Sequence, residues 1–421
     1  MITRSDIELM APVGSFESLS AAFQARADAV YFGIEKLNMR ARSSINFTIS
    51  DLPEIVKRCK ANNVKTYLTL NVVVYEEEKQ LMKEIINQAK EGGVDAIIAS
   101  DHAAILYARE QNVEVHISTQ VNISNSDAVR FYAQFADVMV LARELNLDQV
   151  KQIYETIEKE DIKGPSGNRV KLEMFIHGAL CMAISGKCYL SLHNHNYSAN
   201  RGACLQDCRR SYNVTDKETG FAMDIDNEYI MSPKDLCTIH FLNKILDAGV
   251  RVLKIEGRAR PPEYVKTVAT CYNEAIESII DNSYSEEKIK TWNDKLSGVF
   301  NRGFWDGYYL GQKLGEWSHK YGSKATRKKR YLAKVTNYFS NLKVAELMME
   351  TGELKPGDEI LIIGPTTGVI ELNIQEIRVD LKPAEKAKKG DKFSIPVPGM
   401  VRRADKLYIL DKVNPKKSLQ D

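Results

Sequence analysis

Four of the chain's seven cysteines, Cys181, Cys188, Cys204 and Cys208, fall within 28 residues, and a fifth, Cys237, follows in the segment SPKDLC. Six residues separate the first pair and three the second. Thiols at this density serve as a disulfide framework, a zinc site, an iron–sulfur site or a nucleophile. Paired zinc ligands usually stand about two to four residues apart. The first pair is wide for that pattern, although His193 and His195 supply a Cys₂His₂ set. Iron–sulfur clusters take thiolates at varied spacings, and five cysteines offer four ligands and a spare. Gly186 and Gly202 leave room for backbone N–H groups beside a cluster's sulfurs. The spacing favours a cluster and leaves zinc, a catalytic thiol and inert thiols open. Cys59 and Cys271 lie in helical patterns and read as buried, unreactive thiols.

Composition sets the surroundings of these thiols. A chain of 421 residues with 44% apolar residues has material for two domains and a sizeable core. The net charge of +2 selects no class of partner, so partners must be read from local charge. The N-terminal MITRSDIELMAPVGS holds no apolar run of signal-peptide length. No segment approaches the roughly 20 apolar residues of a membrane span. The expectation is a cytoplasmic protein without a membrane partner, where reducing conditions turn clustered cysteines toward metal or catalysis.

Eight short apolar runs must position the chemistry: 7–12, 29–33, 65–71, 96–101, 114–120, 137–144, 171–178 and 251–257. Amphipathic helical patterns alternate with them, as in ESLSAAFQARA and EEKQLMKEIINQAKEGG. Strands alternating with helices predict a parallel α/β domain, and eight of them suit a closed (β/α) barrel. The seventh and eighth runs are far apart, and the intervening insertion, 179–250, holds the five cysteines. It leaves the C-terminal end of strand seven, the face on which such barrels place chemistry. Beyond about 325 the texture changes to short strands with KPGD and KKGD turns, which predicts a small all-β barrel over 326–413 and a polar tail over 414–421. The reading is a barrel-like catalytic domain, 1–325, followed by that β-barrel domain.

Several separate motifs resemble one family. EMFIHGALC (173–181), SGKCYLS (185–191), RGACLQDCR (201–209), SPKDLC (232–237) and LKIEGR (253–258) follow in order. LMAPVG (9–14) and FNRGF (300–304) flank them. Together these are similar to the signature of the collagenase-like peptidase family U32, over about residues 8–310. Within it, the length and β-rich tail most resemble the tRNA hydroxylation proteins that form 5-hydroxyuridine at the wobble position. The resemblance implies prephenate as the hydroxyl source and a 4Fe–4S cluster on Cys181, Cys188, Cys204 and Cys237, with Cys208 as the alternate fourth ligand and zinc as the alternative metal. Some relatives act as pairs, so a paralogous subunit is an implied partner.

A dicarboxylate such as prephenate requires planar bidentate donors, which arginine supplies. Arg40, Arg42, Arg143 and Arg258, with Gln120, are the substrate-binding candidates near strand ends. Strand alternation puts Lys254, Glu256 and Arg258 on one side of their run and Glu173, Phe175 and His177 on one side of theirs. Lys254, Glu256 and His177 are the catalytic candidates. A Lys254 pair with Glu173 or Glu8 is the structural reading, and His177 also suits a structural role.

The run KYGSKATRKKRYLAK (320–334) carries seven Lys or Arg and no acid, with Tyr321 and Tyr331 beside them. Such a strip suits phosphate contacts with some stacking. Lys324, Arg327, Lys328, Lys329 and Arg330 are therefore the candidates for holding tRNA. Proteolysis is the competing activity, and a Cys181–His177 pair is its conceivable dyad. The sequence contains neither an HExxH helix nor a GxSxG elbow. An RNA-binding protein with a structural metal is the non-enzymatic alternative.

Overall fold

The computed structural model describes residues 2–41, 47–213, 215–220, 229, 231–319 and 322–413. The eight apolar runs form the parallel strands β1 (Glu8–Pro12), β2 (Ala29–Phe32), β3 (Lys65–Leu70), β4 (Ala96–Ala99), β5 (Glu114–Ile117), β6 (Val138–Val140), β7 (Lys171–Ala179) and β9 (Val252–Ile255). A short strand of the insertion, β8 (Asp235–Cys237), precedes the last of them. Strands β1 to β7 pair in sequence, and β9 pairs in parallel with both β7 and β1, closing the barrel. The strands are buried on both faces, because one face meets the helices and the other the barrel interior. Met10, Tyr31, Tyr67, Ile98, Val138 and Val252 form the separate interior cluster.

The helices outside are α1 (Phe16–Gln24), α2 (Leu52–Ala61), α3 (Lys79–Gly92), α4 (His102–Glu110), α5 (Ser126–Tyr132) and α6 (Leu147–Glu160). Polar side chains set where they begin. Ser15, Asp101, Asn125 and Asn146 each accept a bond from a backbone N–H in the following first turn. Helix α3 then buries Met82, Ile85, Ile86 and Ala89, the stripe its spacing predicts.

The insertion leaves β7 through α7 (Leu190–His195) and returns as β8, antiparallel to the end of β7. Helices α8 (Leu242–Asp247), α9 (Pro262–Ile280) and α10 (Glu286–Ser297) follow around β9, and β10 (Phe304–Trp305) lies parallel to β8.

An antiparallel sheet begins at β11 (Arg327–Phe339) and continues through β12 (Val344–Met349), β13 (Glu353–Leu354, which pairs outside the main sheet), β14 (Glu359–Gly364) and β15 (Gly368–Asn373). Strands Lys392–Pro396 and Lys406–Lys412 complete its centre, and β15 lies at one edge. Period-two burial along β12 turns Ala345, Leu347 and Met349 into a core shared with Leu332, Ile360, Phe393 and Leu407. Leu361, Ile363 and Val369 instead join the core of the barrel helices. Gln24 fixes this junction: its Nε2 donates to Thr367 O at 2.9 Å and its Oε1 accepts from Val369 N at 2.9 Å. Lys266 Nζ adds a bond to Val369 O at 2.7 Å. The polar tail, 414–421, lies outside the described residues. Among the described residues, no helix is long and apolar enough to cross a membrane.

Candidate active site

The C-terminal strand ends open into a cavity of about 690 Å³. Tyr31, Thr69, Phe175 and Lys254 line it from the strands, Asn71, Gln120, Arg143, Glu256 and Arg258 from the turns beyond them, and residues 179–209 of the insertion from above. Lys254 Nζ meets Glu173 Oε1 at 2.7 Å, with both side chains almost wholly buried. The ammonium also lies 4.7 Å from the Tyr31 ring centre and 5.5 Å from that of Phe175. Two aromatic faces and one carboxylate thus compensate a buried cation. The expected structural pair is present, and Lys254 lines the cavity as well. Glu173 Oε2 has no hydrogen-bond partner.

Glu256 sits among cations. Arg40 Nη2 donates to its Oε1 at 3.1 Å, and the Tyr31 hydroxyl lies 3.2 Å from its Oε2. Burial alone would raise this carboxyl, but Arg40, Arg143 and Arg258 hold it below its ordinary value. Arg258 Nη1 donates to Thr69 Oγ1 at 2.7 Å and to Asn38 Oδ1 at 3.1 Å, and burial pushes this guanidinium down to about 10. Arg143 sits over Phe175, its guanidinium carbon 3.8 Å from the ring centre. Its Nη1 bonds Ala179 O at 3.2 Å, while its buried Nε has no partner. Gln120 accepts a short bond from Ser118 Oγ. Arg40, Gln120, Arg143 and Arg258 therefore converge as expected, whereas Arg42 lies outside the described residues.

The insertion is tied down over this floor. Arg201 grips both Glu78 oxygens, at 2.5 and 2.6 Å, and stacks 3.7 Å from the Tyr75 ring centre. Asn122 Nδ2 donates to Ser185 O at 3.1 Å. Cys181, Cys188, Cys204 and Cys208 all line the cavity and lie within electrostatic reach of one another. Cys188 accepts from the backbone N–H of Leu190. Burial pushes Cys208 up to about 11. Among the described residues, no three His, Cys, Asp or Glu side chains are drawn close enough to hold a metal ion. Cys237, the fourth ligand implied by resemblance, stands apart from the other four thiols. It is 2% exposed, does not line the cavity, and points its thiol at Asn293 Oδ1 and the Tyr272 hydroxyl, 3.9 and 4.0 Å away. The antiparallel return of β8 beside β7 carries it into the wall. Cys208 takes its place among the cavity thiols. Of the histidines considered for zinc, His193 lines the cavity and His195 is paired with Asp207 at 3.2 Å.

His177 lies away from the cavity. It is 1% exposed, absent from the cavity lining, and packed against Tyr264, Tyr272 and Phe304. Its Nδ1 meets the Tyr272 hydroxyl at 3.3 Å, and burial pushes its pKa down to about 3. A bulge in the pairing of β7 with β9, between Phe175 and His177, breaks the alternation that put both on one side. Among the described residues, no thiol is hydrogen-bonded to a histidine.

The basic run is largely neutralised. Arg327 bonds Glu359 and Glu371, Lys329 bonds Glu263 at 2.8 Å, and Arg330 bonds Asp411 at 2.9 Å. Tyr331 donates to Glu350. Lys324 borders Asn301 through its backbone, and Lys328 is exposed. A run without acids in sequence thus meets acids of neighbouring strands and of helix α9. Lys320 and Tyr321 lie outside the described residues.

Three cavity arginines escaped the sequence reading: Arg209, Arg260 and Arg302. Arg209 donates to Leu180 O, Pro233 O and Ser232 Oγ. Arg302 pairs with Asp235 at 3.3 Å. Arg260 stands two positions past Arg258 in EGRAR, and that spacing was the available signal.

Comparison with known proteins places the chain among relatives. The model of Peptidase family U32 matches residues 14–319. A protein named "Collagenase" from Porphyromonas gingivalis is 62% identical over 97% of this chain and 99% of its own length. "tRNA hydroxylation protein P1" of Bacillus subtilis is 33% identical, over 85% of this chain and 83% of its own. A 23S rRNA 5-hydroxycytidine synthase of Escherichia coli is 34% identical over 65% of this chain and 40% of its own.

Proposed function

The chain belongs to peptidase family U32, and from that premise we propose that it is an RNA-hydroxylating enzyme. Its product would be 5-hydroxyuridine at the wobble position of tRNA, with prephenate as the small dicarboxylate hydroxyl source. The carrying observation is the charge of the cavity. Eight lysines and arginines line it against a single carboxylate, Glu256. A cavity of that charge concentrates anions, and both an RNA loop and a dicarboxylate are anions, whereas a polypeptide backbone is not. An anticodon loop also displays its bases without a duplex to open.

The chain's own residues divide the work. Arg143 and Arg258 provide planar donors for carboxylates, and Arg143 rests on the face of Phe175. Glu256, kept ionised by its arginines, is the proton acceptor within the cavity. Lys254 holds positive charge at the floor. The four cavity thiols are the donor type of an iron–sulfur group and line one space, and they would have to draw together to hold it. Such a group, bound by Cys181, Cys188, Cys204 and Cys208, would supply electron transfer or substrate activation.

Proteolysis is the second reading, favoured by the name of the 62%-identical relative. Against it stands the separation of His177 from the cavity thiols. Anaerobically purified protein, mixed with unmodified tRNA and prephenate and followed by nucleoside mass spectrometry, tests the first reading. The expected result is 5-hydroxyuridine, lost in Arg143→Ala. No hydroxylation by active, iron-loaded protein, together with cleavage of gelatin, would replace it with the second.

A further inference from the structure

Arg258 and Arg260 divide one loop between the depth and the opening of the cavity. Arg258 is 6% exposed, Ala259 is exposed, and Arg260 is half-buried. Both arginines line the cavity. Their partners differ. Arg258 is bonded to Thr69 and Asn38, whereas the Arg260 guanidinium has no hydrogen bond and no ion pair among the described residues. Its guanidinium carbon lies 3.5 Å from the centre of the Phe300 ring, and Arg302 approaches the same ring at 5.2 Å. Stacking of this kind fixes a guanidinium plane while leaving its N–H edges for an oxyanion.

The backbone is built for that placement. Gly257 has φ +153°, and a Cβ there would lie 2.9 Å from Arg260 Cγ and 2.7 Å from Tyr264 Cε1. The missing side chain is the space through which the Arg260 stem runs. Asp235, the acid that acts on Arg260 electrostatically, already pairs with Arg302. Arg260 is thus a preorganised cation with an unclaimed valence, closer to solvent than Arg258.

We infer that Arg260, laid on Phe300, holds a backbone phosphate of the RNA while the floor arginines hold the small acid, so that the cavity carries two anions at separate places. This rests on the hydroxylase reading and assigns the RNA contact to a residue outside the basic run at 324–330. The depth decides between the two anions. A free dicarboxylate can descend to Arg258, but a phosphodiester, flanked by sugars, stays at the opening where Arg260 stands.

The test uses iron-loaded, full-length protein and a synthetic anticodon stem-loop with a wobble uridine. Affinity is measured across a salt series, and KM for prephenate in parallel. Arg260→Ala is expected to weaken stem-loop binding several-fold and to lower the slope of log affinity against log salt by about 0.7 to 1, one phosphate contact. It should leave the KM for prephenate unchanged. Arg260→Lys should restore the slope and only part of the affinity, and Phe300→Leu should weaken affinity while keeping the slope. Unchanged affinity and slope in Arg260→Ala, with wild type binding normally, overturns the assignment and leaves the hydroxylase reading intact. A raised KM for prephenate with unchanged RNA binding overturns it by moving Arg260 to the acid site. Wild-type protein that neither binds nor hydroxylates the stem-loop overturns the hydroxylase reading, and this assignment with it.

Discussion

The Lys254 ammonium and the Glu173 carboxylate meet at 2.7 Å inside the barrel, 5% and 0% exposed. Removing one partner strands the other charge in a medium that solvates it poorly. Lys254→Met is therefore expected to cost about 3–5 kcal/mol in urea unfolding. The double variant Lys254→Met/Glu173→Gln should recover most of that. Equal losses in the single and double variants would show that the pair is not the source.

Gly33 lies against the Arg258 head group. A Cβ there would come 2.5 Å from Arg258 Nη1 and 2.7 Å from Asn38 Cγ. Gly33→Ala should displace the guanidinium from Thr69 and raise KM for the acid about tenfold, a change of about 1.4 kcal/mol. The circular dichroism spectrum should not change. An unaltered KM would mean that Arg258 does not bind substrate.

Iron and sulfide content separates the cysteines. Cys181→Ser, Cys188→Ser, Cys204→Ser and Cys208→Ser should each deplete both in anaerobically purified protein. Cys237→Ser should retain them, because its thiol faces Asn293 and Tyr272. Depletion in Cys237→Ser with retention in Cys208→Ser would reverse the assignment.

His177 makes stability pH-dependent. Its folded pKa, about 3, lies below the ordinary value of 6.5. The unfolded chain therefore binds the proton first as pH falls. This contribution is complete above about pH 6.5 and is lost toward pH 3, at up to about 1.4 kcal/mol per pH unit. Urea unfolding at pH 7 and pH 5 should show a steeper loss for wild type than for His177→Gln. Equal losses would place the proton uptake elsewhere.

The barrel was legible because its signal is periodic. All eight apolar runs became its strands, and four helix starts carried readable caps. Much of the cavity lining was legible too, since residues at strand ends must face it. The arrangement departs from the sequence pattern where chain order stops reporting distance. Cys237 follows its sister cysteines in sequence, yet antiparallel pairing with β7 turns it into the wall. His177 obeyed alternation until a bulge intervened. The basic run looked unopposed because Glu263, Glu359, Glu371 and Asp411 are distant in sequence and adjacent in space.

The Gln24 side chain presents an amide donor and an amide acceptor to the chain on either side of Gly368, as a neighbouring peptide group would. It therefore acts as a one-residue substitute strand at the border of β15. An uncovered border of this kind recruits foreign chains into intermolecular sheets. By closing it with a helix side chain, the barrel shields the C-terminal sheet from self-association. Gln24→Ala should then reveal itself as concentration-dependent aggregation rather than as lost catalysis.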